Sequence, residues 1–149
     1  MPVDDVNPAT LAPKEFALLV KRSPVDELKR LMQGDQRKAV LDEIFVRMPD
    51  VFRPEKAGAT DAVVHWRIAD RPDGGEDTYE LVIAGGTCTV SATPLRQPRL
   101  ALTIGAVDFL KMVTGNANPM TLFLRGRMKA KGDLGLATRF PSLFDIPKN

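Results

Sequence analysis

The sequence contains very few of the side chains that usually carry catalysis or hold metals. Its 149 residues include a single cysteine, Cys88, and a single histidine, His65. One cysteine excludes an intrachain disulfide, and a metal site would need several ligands of this kind. The strand pattern described below places Cys88 and His65 on opposite faces of a sheet, which prevents a nucleophile–base pair. We therefore predict no catalytic residue, no bound metal and no cofactor.

The sequence also lacks a large excess of positive or negative charge, and it lacks long apolar runs. The 21 basic and 19 acidic side chains leave a net charge of +2, which gives no support to a nucleic-acid partner. No run reaches the ~18–20 apolar residues of a membrane-spanning helix. Residues 1–13 carry Asp4 and Asp5 and no apolar core, unlike a signal peptide. With only one cysteine, this composition favours a cytoplasmic protein.

What is present fits one ordinary globular domain. Apolar residues make up 44% of the chain and charged residues 27%, and a chain of this length buries about 70% of its unfolded surface. We predict an extended arm over residues 1–13, N-terminal helices over residues 14–52, and a sheet with closing helices over residues 61–146.

Three helices are predicted in the first third of the chain, where apolar residues recur with the helical period. Ser23, which precedes Pro24, and Asp35 are predicted N-caps here, and Asn118, which precedes Pro119, and Asp133 are predicted N-caps of two later helices. Pro49 ends the third helix. Because helices this short are unstable alone, their apolar faces must cover a second layer.

That second layer is a predicted sheet. Residues 61–69, 78–84 and 87–93 each alternate apolar and polar side chains, and Gly85-Gly86 indicates a tight hairpin. Residues 100–104 and 127–131 add two further strands. The predicted fold class is α+β, a five-stranded, mainly antiparallel sheet with helices packed on one face around an apolar core or tunnel.

The stretch from Leu100 to Phe144 is the most informative part of the chain. Four of the seven phenylalanines and three of the six methionines fall between Phe109 and Phe144. Large, adaptable apolar side chains either fill a core or line a cavity for an apolar guest. The composition of this stretch leaves both open.

Parts of this stretch resemble the C-terminal half of the sterol carrier protein type-2 domain. The similarity lies in residues 109–115 (FLKMVTG), in Asn118-Pro119 and above all in residues 126–133 (GRMKAKGD). Residues 49–54 (PDVFRP) resemble the compact, stand-alone bacterial version of this family. The resemblance implies an apolar tunnel between sheet and helices and a non-catalytic function, the binding or transfer of a sterol, fatty acid, acyl-coenzyme A or phospholipid.

Under this resemblance, twelve apolar positions are predicted to line the tunnel because of the direction in which each side chain faces. They are Trp66, Leu81, Ile83, Leu102, Phe109, Leu110, Val113, Met120, Phe123, Leu124, Leu136 and Phe140. The pattern leaves open whether Phe45, Phe52 and Phe144 fill the tunnel instead.

Five basic residues near the closing elements allow two interpretations. They protect an edge strand from pairing with another chain, or they contact an anionic head group or membrane surface. The residues are Arg125, Arg127, Lys129, Lys131 and Arg139.

Two rival functions also stay open. A protein–protein or dimerisation module would have a filled core and an exposed apolar patch. An enzyme would have a cleft at His65 with a partner of strongly shifted pKa. The expected partner is an apolar small molecule such as a lipid or sterol, with transient membrane contact and a homodimer as further options.

Overall fold

The computed structural model describes residues 13–145, in which helices and strands form one layered fold. The predicted N-terminal arm lies outside these residues, apart from Pro13. The helices are α1 (Pro13–Arg22), α2 (Val25–Gln33), α3 (Arg37–Arg47), α4 (Pro54–Ala57), α5 (Ala106–Val113), α6 (Pro119–Leu124) and α7 (Leu134–Arg139), with 3-10 helices at Met48–Val51 and Phe140–Leu143. The strands are β1 (Ala62–Ile68), β2 (Asp77–Ala84), β3 (Thr87–Ser91), β4 (Leu100–Ile104) and β5 (Met128–Gly132).

The five strands form one mixed sheet in the order β3-β2-β1-β4-β5. Strands β1, β2 and β3 form an antiparallel meander, and β5 pairs antiparallel with β4. Strands β1 and β4 are parallel because the chain leaves β3 at one edge and crosses over to lie beside β1. This arrangement confirms the predicted α+β class and its mainly antiparallel sheet.

The helices cover one face of the sheet and bury its apolar side chains. Val64, Leu81 and Leu100 have no exposed surface on this face, and they share one core cluster with Leu28 and Phe109 from the helices. The opposite face carries side chains that are mostly polar, as the alternation of the strands predicts.

The centre of this opposite face is nevertheless covered, by the crossover segment between β3 and β4. Glu80 of β2 accepts hydrogen bonds from the backbone N–H groups of Leu95 and Arg96, at 3.0 and 2.9 Å. His65 and Glu80 are buried beneath this segment. The sequence pattern alone did not predict this cover.

The helix ends confirm some of the predicted caps and correct others. The side chain of Asn118 accepts a hydrogen bond from the backbone N–H of Met120 and caps the start of α6. The side chain of Asp133 accepts one from the backbone N–H of Leu136 and caps the start of α7. The prediction for Ser23 was wrong, because its hydroxyl donates back to the carbonyl of Leu19 at 2.6 Å.

The cap predicted at Asp35 was wrong as well. Helix α3 begins after Gln36, which makes no side-chain cap. Gly85 and Gly86 both have positive φ, 58° and 77°, as the predicted hairpin between β2 and β3 requires. The short helix α4 lies in a segment where the sequence predicted none.

A buried arginine joins the helical layer to the end of the sheet. Arg37 donates to the carbonyls of Met32 and Ile68 and forms an ion pair with Asp77 at 2.8 Å. These acceptors supply the partners that a buried cation needs. Over residues 13–145, no helix combines the length and the apolar composition that crossing a membrane requires.

Candidate functional site

A cavity of about 190 Å³ lies between the helical layer and the sheet. Every described helix except α2 and α4 contributes to its wall, together with strands β1, β4 and β5. The lining residues are Phe16, Ile44, Arg47, Met48, Val51, Trp66, Leu102, Met112, Val113, Thr114, Pro119, Met128, Ala137, Phe140, Pro141, Phe144 and Asp145.

The wall of the cavity is apolar apart from three residues. Trp66 and Leu102, which are neighbours across the β1–β4 pair, contribute from the sheet. Buried Thr114 turns its hydroxyl to the carbonyl of Leu110 at 2.6 Å, so that group is already satisfied. The cavity therefore offers an apolar guest a largely apolar wall.

The two charged residues in the wall mark where the cavity approaches solvent. Asp145 is exposed, and Arg47 is half-buried with its Nε 2.8 Å from an oxygen of Glu43. The side of the cavity nearest these residues is thus its polar rim.

Four of the twelve side chains predicted to line a tunnel lie in the wall of this cavity. They are Trp66, Leu102, Val113 and Phe140. Five more are buried in the closed core and do not reach the cavity: Leu81, Ile83, Phe109, Leu110 and Leu136. Whether any of them binds a ligand stays a prediction.

The remaining three predicted positions lie on the surface of α6. Met120 is 46% exposed, Phe123 36% and Leu124 77%. The helix instead packs through Leu122, which is buried. In so short a helix with apolar residues on two sides, the sequence does not tell which side faces the core.

Several wall residues were not predicted from the sequence. Phe16, Ile44 and Met48 belong to apolar stripes of the N-terminal helices, and Met112, Met128 and Phe144 lie in the stretch rich in methionine and phenylalanine. The stripes indicated that these helices cover the sheet. They did not indicate that the packing leaves a space at this point.

A chain of aromatic rings runs along the core to the cavity. Phe45 stacks on Tyr79 with ring centroids 4.0 Å apart and on Phe109 at 5.2 Å. Phe109 contacts Trp66 at 5.4 Å, which in turn contacts Phe140 at 5.8 Å. Phe45 is therefore engaged in the core beside the cavity and does not fill it.

The other two residues that were candidates for filling the cavity lie at its outer end. Phe144 forms part of the wall, with its ring 5.6 Å from that of half-buried Phe52. An isolated antiparallel β-bridge joins the backbones of these two residues. The space between the layers remains.

The side chains with acid–base chemistry lie away from the cavity, on the far face of the sheet. His65 Nε2 is 3.0 Å from Glu80 Oε2, and both residues are buried without lining the cavity. Burial raises the pKa of Glu80, but hydrogen bonds from the Arg96 backbone, His65 and the Leu95 backbone outweigh it and bring the pKa to about 2. The carboxylate thus holds the crossover segment.

Cys88 lies on the opposite face of the sheet from His65. It pairs with Ile83, which faces the helices, and is part of the core cluster. Burial raises the pKa of its thiol to about 11, which keeps it in the unreactive thiol form. The two residues are thus separated by the sheet, as the alternation predicts.

The basic residues near the closing elements lie in and around α6, β5 and α7, where Arg139 is the last residue of α7. Strand β5 is at the edge of the sheet, and Lys129 and Lys131 are exposed there. Arg127 forms a bidentate pair with Asp108 at 2.9 and 3.0 Å. Arg125 is exposed directly after α6.

Comparison with known proteins places this architecture in a family. Residues 41–145 match the model of the SCP-2 sterol transfer family. Sterol carrier protein 2 of Gallus gallus is 30% identical over 81 residues, which are 54% of this chain and 15% of that protein. Human hydroxysteroid dehydrogenase-like protein 2 is 27% identical over 119 residues, which are 80% of this chain and 28% of that protein.

These relatives are much longer, since the chain spans less than a third of either one. Among solved structures, the apo form of sterol carrier protein 2 from Yarrowia lipolytica shares the fold. Its TM-score is 0.58 at 17% identity, and the match covers 75% of this chain and 93% of that one. Because the family model matches well over half of the chain, the chain belongs to the SCP-2 sterol transfer family.

Proposed function

We propose that this domain binds or transfers an apolar ligand without catalysis, and that the ligand occupies the cavity between the helices and the sheet. The observation that carries the proposal is a cavity of about 190 Å³ whose wall is apolar except for Arg47, Thr114 and Asp145. Membership of the SCP-2 sterol transfer family supports the same function. Sterols, fatty acids, acyl-coenzyme A and phospholipids are the candidate ligands.

The size of the cavity limits how much of such a ligand it can enclose. A cavity of about 150 Å³ holds one benzene molecule, so this cavity has room for one ring or a short alkyl segment. Each buried methylene group contributes about 0.8 kcal/mol, so six would contribute ~5 kcal/mol before the cost of ordering the ligand. The polar part of the ligand would lie at the rim formed by Arg47 and Asp145.

The test is a titration of the lipid-free protein with saturated fatty acids of increasing length and with cholesterol, followed by Trp66 emission and native mass spectrometry. Trp66 is the single tryptophan and lines the cavity, so its emission reports a guest there. We expect one-to-one binding with affinity that rises with chain length until the cavity is full.

A matched pair of variants assigns the binding to the cavity. Ala137→Leu adds three carbons within the wall and should abolish or strongly weaken binding. Ala39→Leu makes the same change at an exposed position of α3 and should leave binding unchanged. Equal binding by both variants, or no binding by the unchanged protein, would contradict the proposal.

We also propose that α6 makes the transient membrane contact that a lipid carrier needs. Met120, Phe123 and Leu124 lie on one side of this helix and are exposed, and Arg125 follows directly. Apolar side chains beside a cation suit the interface of an anionic bilayer. Pro119 of the same helix lines the cavity, so the contact would lie next to the ligand.

Vesicle co-sedimentation tests this contact. We expect binding to vesicles that contain phosphatidylglycerol, weaker binding to pure phosphatidylcholine, and loss of binding in the double variant Phe123→Ser, Leu124→Ser. Val46→Ser is the control, because Val46 is 67% exposed on α3 and should not affect binding.

The alternative occupant of the α6 surface is a second copy of the chain, as in the dimerisation module considered above. Sedimentation velocity distinguishes the two occupants. A dimer that the double variant abolishes, without any vesicle binding by the unchanged protein, would replace the membrane contact.

The absence of catalysis and a location in the cytoplasm remain part of the proposal. The support for the first is the position of His65, which contacts a carboxylate that holds backbone N–H groups beneath the crossover segment. The support for the second is the single cysteine, which suits a reducing compartment.

A further inference from the structure

Trp66 carries a buried hydrogen-bond donor that nothing in residues 13–145 satisfies. The residue is 3% exposed, and its indole Nε1 makes no hydrogen bond. Most buried polar groups have a partner, and tryptophan usually finds one when it is buried. This unpaired N–H is therefore a feature that needs a physical explanation.

The same side chain lines the cavity, whose wall is apolar apart from Arg47, Thr114 and Asp145. The rings of Phe109 and Phe140 pack against the indole, with centroids at 5.4 and 5.8 Å. Leu102, beside it in the sheet, is aliphatic. The hydroxyl of Thr114, also in the wall, is already committed to the carbonyl of Leu110.

We propose that the cavity selects ligands with an acceptor oxygen in their apolar part, and that the indole N–H of Trp66 donates to this oxygen. This inference rests on the proposed function and narrows it to an oxygenated apolar molecule, with a carbonyl, ester or hydroxyl group, in preference to a pure hydrocarbon. Phe140 contacts the indole and also lines the cavity, so a guest that displaces this ring comes into contact with Trp66.

The energetic reason is the asymmetry of hydrogen bonding at a buried donor. In the empty protein the N–H has lost its water and gained no partner, a cost that is already present before the ligand binds. An oxygen that reaches the N–H removes this cost. A hydrocarbon of the same shape leaves it in place.

Acetophenone and ethylbenzene form a probe pair that isolates this interaction. They have nearly the same shape and differ by a carbonyl in place of a methylene group, and each has one ring, which suits the size of the cavity. Because the chain has one tryptophan, ¹⁵N-labelled protein gives one indole N–H signal. We expect acetophenone to move the indole proton downfield and ethylbenzene not to do so.

The variant Trp66→Phe gives an independent measurement, since it keeps a ring in the wall and removes the donor. In calorimetric titrations, the ratio of the Kd for ethylbenzene to the Kd for acetophenone should fall about tenfold from wild type to variant. Using this ratio cancels the different hydration of the two probes, as in a double-mutant cycle. Circular dichroism checks that the variant is folded.

The possible outcomes separate this inference from the proposed function. A downfield shift with acetophenone and a tenfold change in the ratio support it. Binding of both probes with no downfield shift, or with the same ratio in both proteins, overturns the inference and leaves the carrier function standing. If neither the probes nor the fatty acids bind the unchanged protein, the proposed function fails and this inference fails with it.

Discussion

Glu80 holds the crossover segment against the far face of the sheet through the backbone N–H groups of Leu95 and Arg96. Its side chain has no exposed surface, and it also contacts His65 and the guanidinium group of Arg96. A buried carboxylate is stable only when donors replace the water that it has lost. The residue therefore has a structural function, on the face of the sheet opposite the cavity.

The variant Glu80→Gln should lower the free energy of unfolding at pH 7 by about 2 kcal/mol. The NH₂ group of the glutamine side chain is a donor, and it would replace one of the carboxylate oxygens, which accept from N–H donors. The pKa of Glu80 is lowered in the folded state from its usual 4.5 to about 2. Its contribution to stability is thus complete above pH 4.5 and is lost as the pH falls toward 2. Urea unfolding at pH 7 and pH 3 measures both effects.

The matched control for this variant is Glu76→Gln, at an exposed position before β2. It should change the free energy of unfolding by less than about 0.5 kcal/mol. The difference between wild type and Glu80→Gln should become smaller at pH 3. A difference that is as large at pH 3 as at pH 7 would count against the proposed charge on Glu80.

At the scale of single elements, α6 packs against the fold through Leu122 and not through Leu124. Leu122 is 6% exposed, whereas Leu124 is 77% exposed. Leu122→Ala should lower the free energy of unfolding by about 2–4 kcal/mol, because it leaves a space in the core. Leu124→Ala should change it by less than about 0.5 kcal/mol.

Chemical denaturation of the two alanine variants, side by side, measures this difference. Similar losses for both would mean that Leu124 is buried, and the α6 surface proposed for membrane contact would then not exist. The two substitutions remove the same atoms from the same helix, so helix propensity affects both alike.

Strand β5 ends at a glycine that the sheet itself requires. Gly132 lies opposite Leu100 with φ of 110°, and a Cβ atom there would collide with the carbonyl oxygen of Arg99. Gly132→Ala should therefore lower the free energy of unfolding by about 2 kcal/mol or more.

Gly126→Ala is the control for the glycine variant. Gly126 also has positive φ, 72°, but a Cβ atom there would have open space around it. Gly126→Ala should therefore lower the free energy of unfolding only through the unfavourable backbone conformation of alanine at positive φ, by about 1 kcal/mol. Thermal unfolding compares the stability of the two variants. An equal loss of stability in both would mean that the backbone near Arg99 moves away from the new Cβ atom at no energetic cost.

At the scale of the whole molecule, ligand binding and folding stability are linked. A ligand that binds only the folded state, at 100 times its Kd, adds about 2.7 kcal/mol to the free energy of unfolding. For a chain of this size the Tm should rise by about 5–10 °C. Calorimetry should show this rise for wild type and Ala39→Leu but not for Ala137→Leu. A rise in all three would place the ligand outside the cavity.

Much of the fold could be predicted because its signals are local. The alternation in residues 61–69 places Trp66 and Val64 on the buried face whatever the rest of the chain does. The caps at Asn118 and Asp133 are satisfied within three residues, so neighbours in sequence are sufficient to predict them. The cap at Ser23 failed because its hydroxyl had a competing acceptor in the preceding helix.

The candidate site was harder to predict because it depends on gaps between elements. Phe109 and Leu110 face the same layer as Val113, yet only Val113 reaches the cavity. The side of α6 that carries Met120, Phe123 and Leu124 was predicted to face the tunnel, whereas the structure buries Leu122 on the other side of this helix. The buried contacts of Arg37 and Glu80 join residues distant in sequence and have no local signal.

The sequence by itself determined the order of the strands and of the helices other than α4, the face of each strand that packs against the helices and the family to which the chain is similar, because side-chain periodicity and capping act over a few residues. Only the tertiary structure decided that a cavity remains between the layers, which side chains form its wall, and that the indole N–H of Trp66 lacks a partner there. These features depend on how helices and strands of fixed shape pack together. A gap between them cannot be predicted from the residue pattern of any single element.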